Sequence, residues 1–404
     1  MIQVDFLFLV EHEDREMSSV KRLKSELEMK GCSCIILSTE FHAHLFNQFN
    51  ARNIVFPYAI DDATWPIRAF KQRKFKKCNF ISLNWEQLLS KSNQDFKKPK
   101  SRFIQEHFYH LAWEDNFKEF LKDSGSKSDN IRVIGNPLHE LLMEDLYNSS
   151  LYDDKLRTEF GIDKSSELYF FPMNYGWAFF SDDKIKAKIA MGYGSEVAYE
   201  YRDYALRCLN AFTYFITKLC ALYPKSTFVV RPHPSISVEQ YVEKFSANGL
   251  TIPVNMVLTK KYTIKEWIAI SQVVGSSWST SVWDAQKVGK KGFLFTPFER
   301  PDWLDTFWNK LVINISEPEG FEMVLNSEGG DVSDVGKIIH SISSWLYDIH
   351  SSHLYEKEIK SDIYSEIINF SYRARAKFRV FSMNRLNGMG VGKGLQRDYF
   401  FPVE

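Results

Sequence analysis

The fold is decided by two stretches, STFVVRPHP at residues 226–234 and GSSWSTSVWDAQKVG at residues 275–289. The first is a short apolar run that ends in Arg231-Pro232-His233-Pro234. An apolar, β-branched run bounded by prolines indicates a buried strand, and each proline keeps the residue before it in an extended conformation. Arg231 and His233 are therefore predicted at the carboxyl end of a strand, where open α/β sheets bind their ligands.

The second stretch repeats this layout. Residues 272–274 are predicted to form a strand, Gly275 a turn, and four hydroxyl residues the start of a helix: Ser276, Ser277, Ser279 and Thr280. A helix N-terminus offers free N–H groups and a partial positive charge, which suit phosphate. Each stretch alone also fits a structural role, because hydroxyls often cap helices and His-Pro often ends a strand. Together they predict a cradle for a diphosphate or a nucleotide monophosphate.

The bulk composition limits the classes of function. The chain has 404 residues, which favours two domains. Its 51 basic and 51 acidic residues balance, so no overall charge favours nucleic acid as a partner. The five cysteines are predicted to be reduced and structural. The first apolar run is short and acidic residues follow it, which predicts a cytoplasmic protein without a signal peptide.

Strand and helix patterns alternate along both halves, which predicts an α/β protein with two parallel, doubly wound sheets. The domain boundary is placed in the polar, weakly periodic stretch 147–166. We predict an acceptor-side domain at 1–155 and a nucleotide-sugar-binding domain at 156–348. Residues 349–404 are predicted to be closing helices and a basic tail that packs back toward the first domain. Within that tail, the glycine-rich residues 388–394 lack the preceding strand that a phosphate loop needs and are predicted to be a flexible segment.

Further candidate residues follow other predicted strands. Glu11 and His12 come directly after the first strand and could serve as a general base or bind an acceptor; an ordinary solvated acidic turn explains them equally well. Residues 177–195 are predicted to be a long loop, and long loops in compact domains are usually functional. Basic patches at 68–77 and 97–100 suit anionic lipid headgroups or an anionic glycan, although such runs are more often solvated faces.

Several short motifs resemble those of a known family. Taken in order along the chain, they resemble bacterial surface-carbohydrate biosynthesis proteins with the GT-B glycosyltransferase architecture: Arg15-Glu16, Asn84-Trp85-Glu86, Gly135-Asn136-Pro137, Asn174 and Arg231-Pro232-His233-Pro234. The resemblance implies two Rossmann-like, doubly wound domains facing a cleft. It also implies a cytosolic enzyme that acts on capsule, O-antigen or teichoic-acid-like polymers.

The His-Pro strand end looks like that of transferases that use CMP-activated acidic sugars, including sialyltransferases and the β-Kdo transferases. The resemblance implies that His233 and the downstream hydroxyls contact the CMP phosphate: Ser276, Ser277, Ser279 and Thr280. Arg231 stands where β-Kdo transferases tend to have lysine. Asn174 belongs to the same donor side, and Asp284 stands where GT-B enzymes often hold the donor ribose or sugar. Asp284 also suits a helix-dipole role near a helix N-terminus.

The β-Kdo transferases also place a carboxylate between the first strand of the second domain and the helix that leads to the His-Pro strand. Asp183 fits by type, as half of an acidic pair, and Glu200 fits by its distance from His233. The same interval offers three other acids: Asp182, Glu196 and Asp203. A retaining reaction needs such a carboxylate as nucleophile. An inverting reaction needs a base, which His12 or Glu11 could supply.

The sequence therefore predicts a glycosyltransferase that takes Kdo or a related acidic sugar from a CMP donor. The acceptor is expected to be a surface polysaccharide or a lipid-linked glycan, with peripheral contact at the inner membrane. Three alternatives stay open: a CDP-polyol phosphotransferase of teichoic-acid type, a nucleotide-sugar epimerase, and a non-catalytic scaffold. No Asp-x-Asp motif lies near a strand end and no His/Cys cluster has ligand spacing, so no essential metal is predicted.

Overall fold

The computed structural model describes residues 1–71, 78–190, 192–332, 335–352 and 363–388, without the side chains of 363–369 and 383–388. The chain divides into two compact units. The first unit consists of Met1–Gln87, Asp95–Pro137 and Lys337–Glu404. The second consists of Leu88–Gln94 and Leu138–Gly336. Each unit is built around one parallel sheet.

The sheet of the first unit has six strands in the order β2-β1-β3-β4-β5-β6. Their bounds are β1 Ile2–Val10, β2 Cys34–Ser38, β3 Phe49–Phe56, β4 Asn79–Ser82, β5 Phe108–Ala112 and β6 Ile131–Val133. Every pairing is parallel, with Leu7 opposite Ile35 and Ile54. A central parallel strand is covered on both faces, which explains why β1 ends in an unbroken apolar run that is fully buried. The strand order reverses between β1 and β3.

The sheet of the second unit has the order β12-β11-β10-β7-β8-β9. Its strands are β7 Leu168–Pro172, β8 Thr227–Arg231, β9 Met256–Leu258, β10 Val273–Ser276, β11 Lys291–Phe295 and β12 Ile313–Ile315. Alternate residues of β7 enter two different cores: Tyr169 and Phe171 lie in one, and Leu168 and Phe170 in the other. This alternation is the pleat of a strand buried on both faces. Here the order reverses between β7 and β10.

Helices connect the strands and cover the sheets. The helices of the first half are α1 Glu13–Met29, α2 Ile67–Lys71, α3 Lys91–Lys97, α4 Arg102–His107, α5 Asp115–Asp123, α6 Pro137–Tyr147 and α7 Ser149–Phe160. The remaining helices are α8 Asp182–Ala190, α9 Ser195–Leu222, α10 Val238–Ala247, α11 Ile264–Ile270, α12 Ser281–Lys287, α13 Phe321–Asn326, α14 Ile338–Ser351 and α15 Ile363–Gly388. The long helix α9 lies against the core that contains Tyr169 and Phe171, which it completes with residues such as Phe212 and Ile216.

Helix α7 lies within the polar stretch 147–166 and ends at Gly161 in a left-handed conformation (φ 63°). The prediction of a long loop further along the chain was wrong. The predicted loop 177–195 contains helix α8, with acidic residues in its first turn. Helix α15 continues through the basic tail as far as Gly388; the rest of the glycine-rich motif, residues 389–394, lies outside the described residues, so its predicted flexibility stays a prediction.

Another wrong prediction concerns the residue after Val274. Gly275 is not a turn but lies inside strand β10, where its carbonyl and amide belong to the sheet. A Cβ at this position would lie 2.3 Å from the ring of Phe293 and 3.1 Å from the ring of Phe171. Glycine is required there because β10 packs closely under two aromatic rings, not because the backbone bends.

Candidate functional site

The candidate site lies at the carboxyl edge of the second sheet, around the switch between β7 and β10. Open α/β sheets bind ligands where the strand order reverses. The segments that leave this edge carry Asn174 to Gly176 after β7, His233 after β8, Ser277 after β10 and Arg300 after β11. All of these residues belong to the second unit. The donor-side residues predicted from the sequence therefore lie in the same unit.

His233 is held in a defined orientation by its own loop. The backbone N–H of Ser235 donates to His233 Nδ1 over 3.2 Å, and the Ser235 hydroxyl lies 2.7 Å from the same nitrogen. A nitrogen that accepts from an amide carries no proton, so the neutral ring has its proton on Nε2. Burial by surrounding atoms, together with the charges of Lys260 and Arg231, lowers the pKa of His233. The ring is therefore a neutral donor through Nε2 at physiological pH.

The loop after β7 approaches His233 closely. A Cβ on Gly176 would lie 3.4 Å from both His233 Nδ1 and the Ser235 hydroxyl. Two residues earlier, the buried side-chain Oδ1 of Asn174 has no hydrogen-bond partner among the residues that the structure describes. A buried polar atom without a partner is costly, so a ligand that donates a hydrogen bond would be stabilised there.

The hydroxyls predicted to start the helix after β10 divide into two groups. Ser276 is fully buried within β10, and its hydroxyl donates to the Pro172 carbonyl over 2.6 Å. Ser277 is also buried and lies 2.5 Å from the hydroxyl of Tyr175. These two hydroxyls join β10 to β7 and its loop. The prediction that Ser276 lies at a helix start is wrong, because the strand continues through it.

The other two hydroxyls lie next to α12. The Ser279 hydroxyl accepts from the backbone N–H of Ser281 over 3.3 Å, as an ordinary local cap does. Thr280 is the N-cap residue, and in the described part of the chain its side chain makes no capping bond. The helix is short, Ser281–Lys287. Their contact with phosphate stays a prediction.

Arg231 and Asp284 are engaged elsewhere in the second unit. Arg231 Nε donates to the carbonyl of Tyr262 over 3.3 Å, which ties β8 to the loop after β9. Asp284 lies 3.0 Å from His139 Nε2, and both side chains are largely buried. Asp284 therefore joins α12 to α6 in the structure, and its predicted contact with a donor ribose stays a prediction.

Arg300 is a site residue that the sequence reasoning missed. It follows β11, and its Nη2 donates to the carbonyl of Ser277 over a long 3.3 Å. Its buried Nε has no hydrogen-bond partner among the described residues. Burial lowers the pKa of Arg300, although Tyr204 and Asp305 nearby oppose this. A wider rule than the one that identified Arg231, covering cations within about five residues of a predicted strand end, could have found it.

The two candidate carboxylates between β7 and β8, Glu200 and Asp183, differ in how their side chains are held. Glu200 on α9 accepts a hydrogen bond from Trp303 Nε1 over 2.7 Å. The Asp183 side chain is 94% exposed, with Lys186 at 3.9 Å. Its neighbour Asp182 pairs with Arg202 over 2.5 Å. A nucleophile must be held in a fixed position, so Glu200 meets this requirement better than Asp183.

Aromatic rings lie next to the exposed Glu200 on α9. Trp177, after β7, stacks on Tyr201 with ring centres 4.5 Å apart and planes 7° from parallel. Tyr201 also lies 4.9 Å from Trp303, the residue that donates to Glu200. These rings connect the loop after β7, helix α9 and the loop after β11. They hold the Glu200 hydrogen bond in a defined geometry.

Glu11 and His12 lie in the first unit, at the carboxyl end of β1. The backbone N–H of Glu11 donates to the fully buried Glu16 over 2.9 Å. His12 Nε2 is 3.9 Å from Glu11, and burial together with the charge of Arg15 lowers the pKa of His12. A neutral histidine can accept a proton, which is compatible with a base. That role stays a prediction.

Comparison with known proteins was informative for structures alone. A scan against protein-family models found no match, and neither did a search of curated proteins. The UDP-GlcNAc 2-epimerase from Neisseria meningitidis bound to UDP-GlcNAc is 13% identical, with a TM-score of 0.53, and the match covers 86% of this chain and all of that one. A putative UDP-N-acetylglucosamine 2-epimerase from Listeria monocytogenes is 10% identical, with a TM-score of 0.52 and coverages of 89% and 100%.

A third match is the Methanocaldococcus jannaschii UDP-GlcNAc 2-epimerase in complex with UDP-GlcNAc and UDP. It is 10% identical, has a TM-score of 0.50, and the match covers 85% of this chain and all of that one. Identities this low show the fold alone. The predicted fold class, an α/β GT-B fold with two Rossmann-like, doubly wound sheets, is confirmed.

The described residues contain no group of three or more His, Cys, Asp or Glu side chains arranged to hold a metal ion. In the same part of the chain, no helix is both long and apolar enough to cross a bilayer. The absence of an essential metal stays a prediction.

Proposed function

We propose that this protein is a glycosyltransferase that takes an acidic sugar from a nucleotide donor, with CMP-Kdo or a related CMP-sugar as the first candidate. Its acceptor is a bacterial surface polysaccharide or a lipid-linked glycan. The GT-B fold is compatible with a nucleotide-sugar enzyme. The proposal depends mainly on the orientation of His233, together with the resemblance of its strand end to CMP-sugar transferases.

The state of His233 supports a phosphate-binding role. Its Nδ1 accepts from the Ser235 amide, so Nε2 carries the proton that remains available to a ligand. Departure of a nucleotide places negative charge on its phosphate, and a fixed N–H donor stabilises that charge as it develops. No metal ion is required for this stabilisation.

The charges at the same edge favour an anionic donor. Lys260 Nζ donates to the Pro234 carbonyl over 2.7 Å, which places an ammonium on the His233 loop. Arg300 brings a second cation to Ser277. A CMP-activated acidic sugar carries a phosphate and a carboxylate, and both would be attracted by these cations. A nucleotide donor with a neutral sugar has no carboxylate on the sugar, so these cations would attract it through its phosphate groups alone.

Two chemical routes are compatible with this site. In both, the bond between the anomeric carbon and the phosphate oxygen breaks, and the phosphate keeps the electron pair. In a retaining reaction Glu200 would attack the anomeric carbon first, and the acceptor hydroxyl would then displace it. In an inverting reaction the acceptor attacks directly and gives its proton to a base. We favour Glu200 over Asp183 because Trp303 holds its carboxylate.

Calorimetric titration with CMP, CDP, UDP and GDP, in the presence of EDTA, tests the proposal. We expect selective CMP binding that weakens about ten- to a hundredfold in His233→Ala, the loss of one hydrogen bond to a charged group. His233→Gln, which can place an N–H near the Nε2 position, should lose less. His340→Ala is the matched control, because His340 is 62% exposed and lies on α14 in the first unit.

The other outcomes separate the alternatives. A preference for UDP with donor turnover in the absence of an acceptor would identify an epimerase. CDP preference with a phosphodiester in the product would identify polyol-phosphate transfer. If none of the four nucleotides binds, the proposal of a nucleotide-sugar enzyme fails and the scaffold interpretation replaces it. Binding that His233→Ala leaves unchanged would remove His233 from the site.

A further inference from the structure

The outer face of helix α15 carries three exposed phenylalanines. The exposed fractions of Phe370, Phe378 and Phe381 are 67%, 70% and 63%. Phe378 and Phe381 are eight and eleven positions after Phe370. At 3.6 residues per turn, the three side chains therefore lie within about 80° of one another around the helix axis. We call Phe370, Phe378 and Phe381 the phenylalanine stripe. Large apolar side chains grouped on a surface usually mark an interaction site.

The opposite face of α15 is packed onto the first unit. Ala376 is buried in the core of that unit. Tyr372 stacks on Trp65 with ring centres 4.7 Å apart and planes 12° from parallel. Arg379 forms an ion pair with Glu40. Because these contacts fix the inner face of the helix, the phenylalanine stripe stays on the outside.

The charges around the stripe have one sign. The described side chains of α15, from Phe370 to Ser382, include four cations and no acid: Arg373, Arg375, Lys377 and Arg379. Lys377 lies one position from Phe378, on the same outward face, and is exposed. Arg375 is exposed as well. Aromatic rings bordered by cations, on a helix too charged to enter the hydrocarbon core, are typical of a helix that lies in the membrane interface.

We propose that the phenylalanine stripe binds the surface of a membrane that contains anionic phospholipids. The rings would enter the boundary between headgroups and acyl chains, while Arg375 and Lys377 would contact the lipid phosphates. We favour an anionic membrane because the exposed rings on the outer face of α15 are bordered by exposed cations, Arg375 and Lys377, that match lipid phosphates. This inference is independent of the nucleotide proposal.

Vesicle flotation of the full chain tests this surface. We expect the protein to float with vesicles of phosphatidylglycerol and phosphatidylcholine, less with phosphatidylcholine alone, and less at high salt. Phe378→Ser with Phe381→Ser should weaken partitioning at least about tenfold, because two apolar side chains leave the interface. Arg375→Gln and Lys377→Gln should each weaken it about fivefold.

Two controls keep the result interpretable. Leu151→Ser with Val254→Ser removes side chains that are 71% and 107% exposed in the second unit, and should leave flotation unchanged. Phe378→Trp with Phe381→Trp should retain binding, because tryptophan is favoured at the interface. Circular dichroism confirms that each variant is folded.

Three results would overturn the proposal. The first is no flotation with anionic vesicles at low salt. The second is flotation that the serine pair does not weaken. The third is a wild-type dimer, seen by light scattering, that the serine pair converts to a monomer without affecting vesicle binding. That last result would make the stripe an interface between two copies of the chain.

Discussion

The carboxyl edges of the two sheets differ in which of their polar groups are bonded within the protein: the charged side chains of the first edge pair with one another, and those of the second do so less. In the first unit, Glu86 accepts from both Arg15 and Lys97, and Arg15 also donates to Glu16 over 2.7 Å. In the second unit, Asn174 Oδ1 and Arg300 Nε are buried with no partner among the described residues. Both edges have the switch in strand order that ligand-binding sheets use. At the first edge the buried atoms without a partner among the described residues are the indole nitrogens of Trp85 and Trp113, whereas at the second edge they are an amide oxygen and a guanidinium nitrogen, groups that bind anionic and polar ligands.

The electrostatics of the first edge show what its network does. Burial opposes ionisation of Glu86, but Lys97 and Arg15 outweigh it and lower the pKa of Glu86 to about 2. Burial raises the pKa of Glu16 to about 6 despite Arg15. Tyr58 donates to Glu11 and lies 5.1 Å below Lys97, which extends the network to β3. A network this closely paired mainly stabilises its own unit, whereas the second edge is suited to receive a ligand.

Gly275→Ala is the largest test of this comparison, because the second edge depends on tight packing of β10. The new Cβ would lie 2.3 Å from the Phe293 ring, so the strand or the ring must move. We expect the variant to lose about 3 kcal/mol of unfolding free energy and its nucleotide binding. Urea unfolding followed by tryptophan fluorescence measures the stability change.

The matched control is Gly336→Ala, where no atom lies within 4 Å of the new Cβ. Adding Phe293→Leu to Gly275→Ala should recover part of the loss, because the smaller side chain relieves the overlap. If Gly275→Ala unfolds like the control, the close packing of β10 does not set the geometry of this edge.

Glu16→Gln tests whether the network of the first edge stabilises the folded protein. The measured quantity is the pH dependence of the unfolding free energy. The folded pKa of Glu16, about 6, lies above its ordinary value of 4.5, so the folded state binds more protons between these values. The stability that protonation contributes is present below pH 4.5 and is lost as the pH rises through 6. Integrated, the loss is about 2 kcal/mol.

The glutamine variant cannot lose that contribution. Its unfolding free energy, measured in urea from acid to neutral pH, should therefore rise relative to the wild type as the pH rises through 6. Glu28→Gln, on the same helix α1 and paired with Lys24 at 3.8 Å, is the control and should run parallel to the wild type. A Glu16→Gln curve parallel to the wild type would show that Glu16 is not desolvated in the folded protein.

Local sequence signals predicted the fold and part of the site. Strand and helix alternation is a short-range pattern, so both sheets could be predicted, and the effect of proline on the preceding residue located His233 beyond its strand. Gly275 and Ser276 were misplaced because the packing that keeps them in β10 comes from Phe293, eighteen positions away in sequence. Helix α8 could have been predicted from the acidic residues of its first turn and Lys188 in its last.

The partners of site residues were the part that sequence could not supply. Trp303 reaches Glu200 across 103 positions of sequence, and His139 reaches Asp284 across 145. No spacing rule connects residues that far apart; the topology of the second sheet brings them together. Asp183 and Glu200 were therefore equal candidates by sequence; both are exposed, and the structure separates them by the hydrogen bond from Trp303 to Glu200.

Arg300→Ala is the smallest and most specific test, because it removes one unsatisfied group from the second edge without disturbing the sheet. Among the described residues its Nη2 has one long hydrogen bond, to the Ser277 carbonyl, so little native bonding is lost. We expect nucleotide affinity to fall about tenfold, in line with one charge-assisted hydrogen bond. Calorimetry with the nucleotide that the wild type prefers measures this change.

Two variants separate charge from structure at this position. Arg300→Lys keeps the charge but loses the planar fork, so it should retain part of the affinity. Arg202→Ala is the matched control, since Arg202 is an arginine of the same unit whose ion pairs with Asp182 and Asp203 already satisfy it. If Arg300→Ala binds as tightly as the wild type while remaining folded, an unsatisfied cation does not mark the ligand site. The contrast between the two edges would then depend on His233 and Asn174 alone.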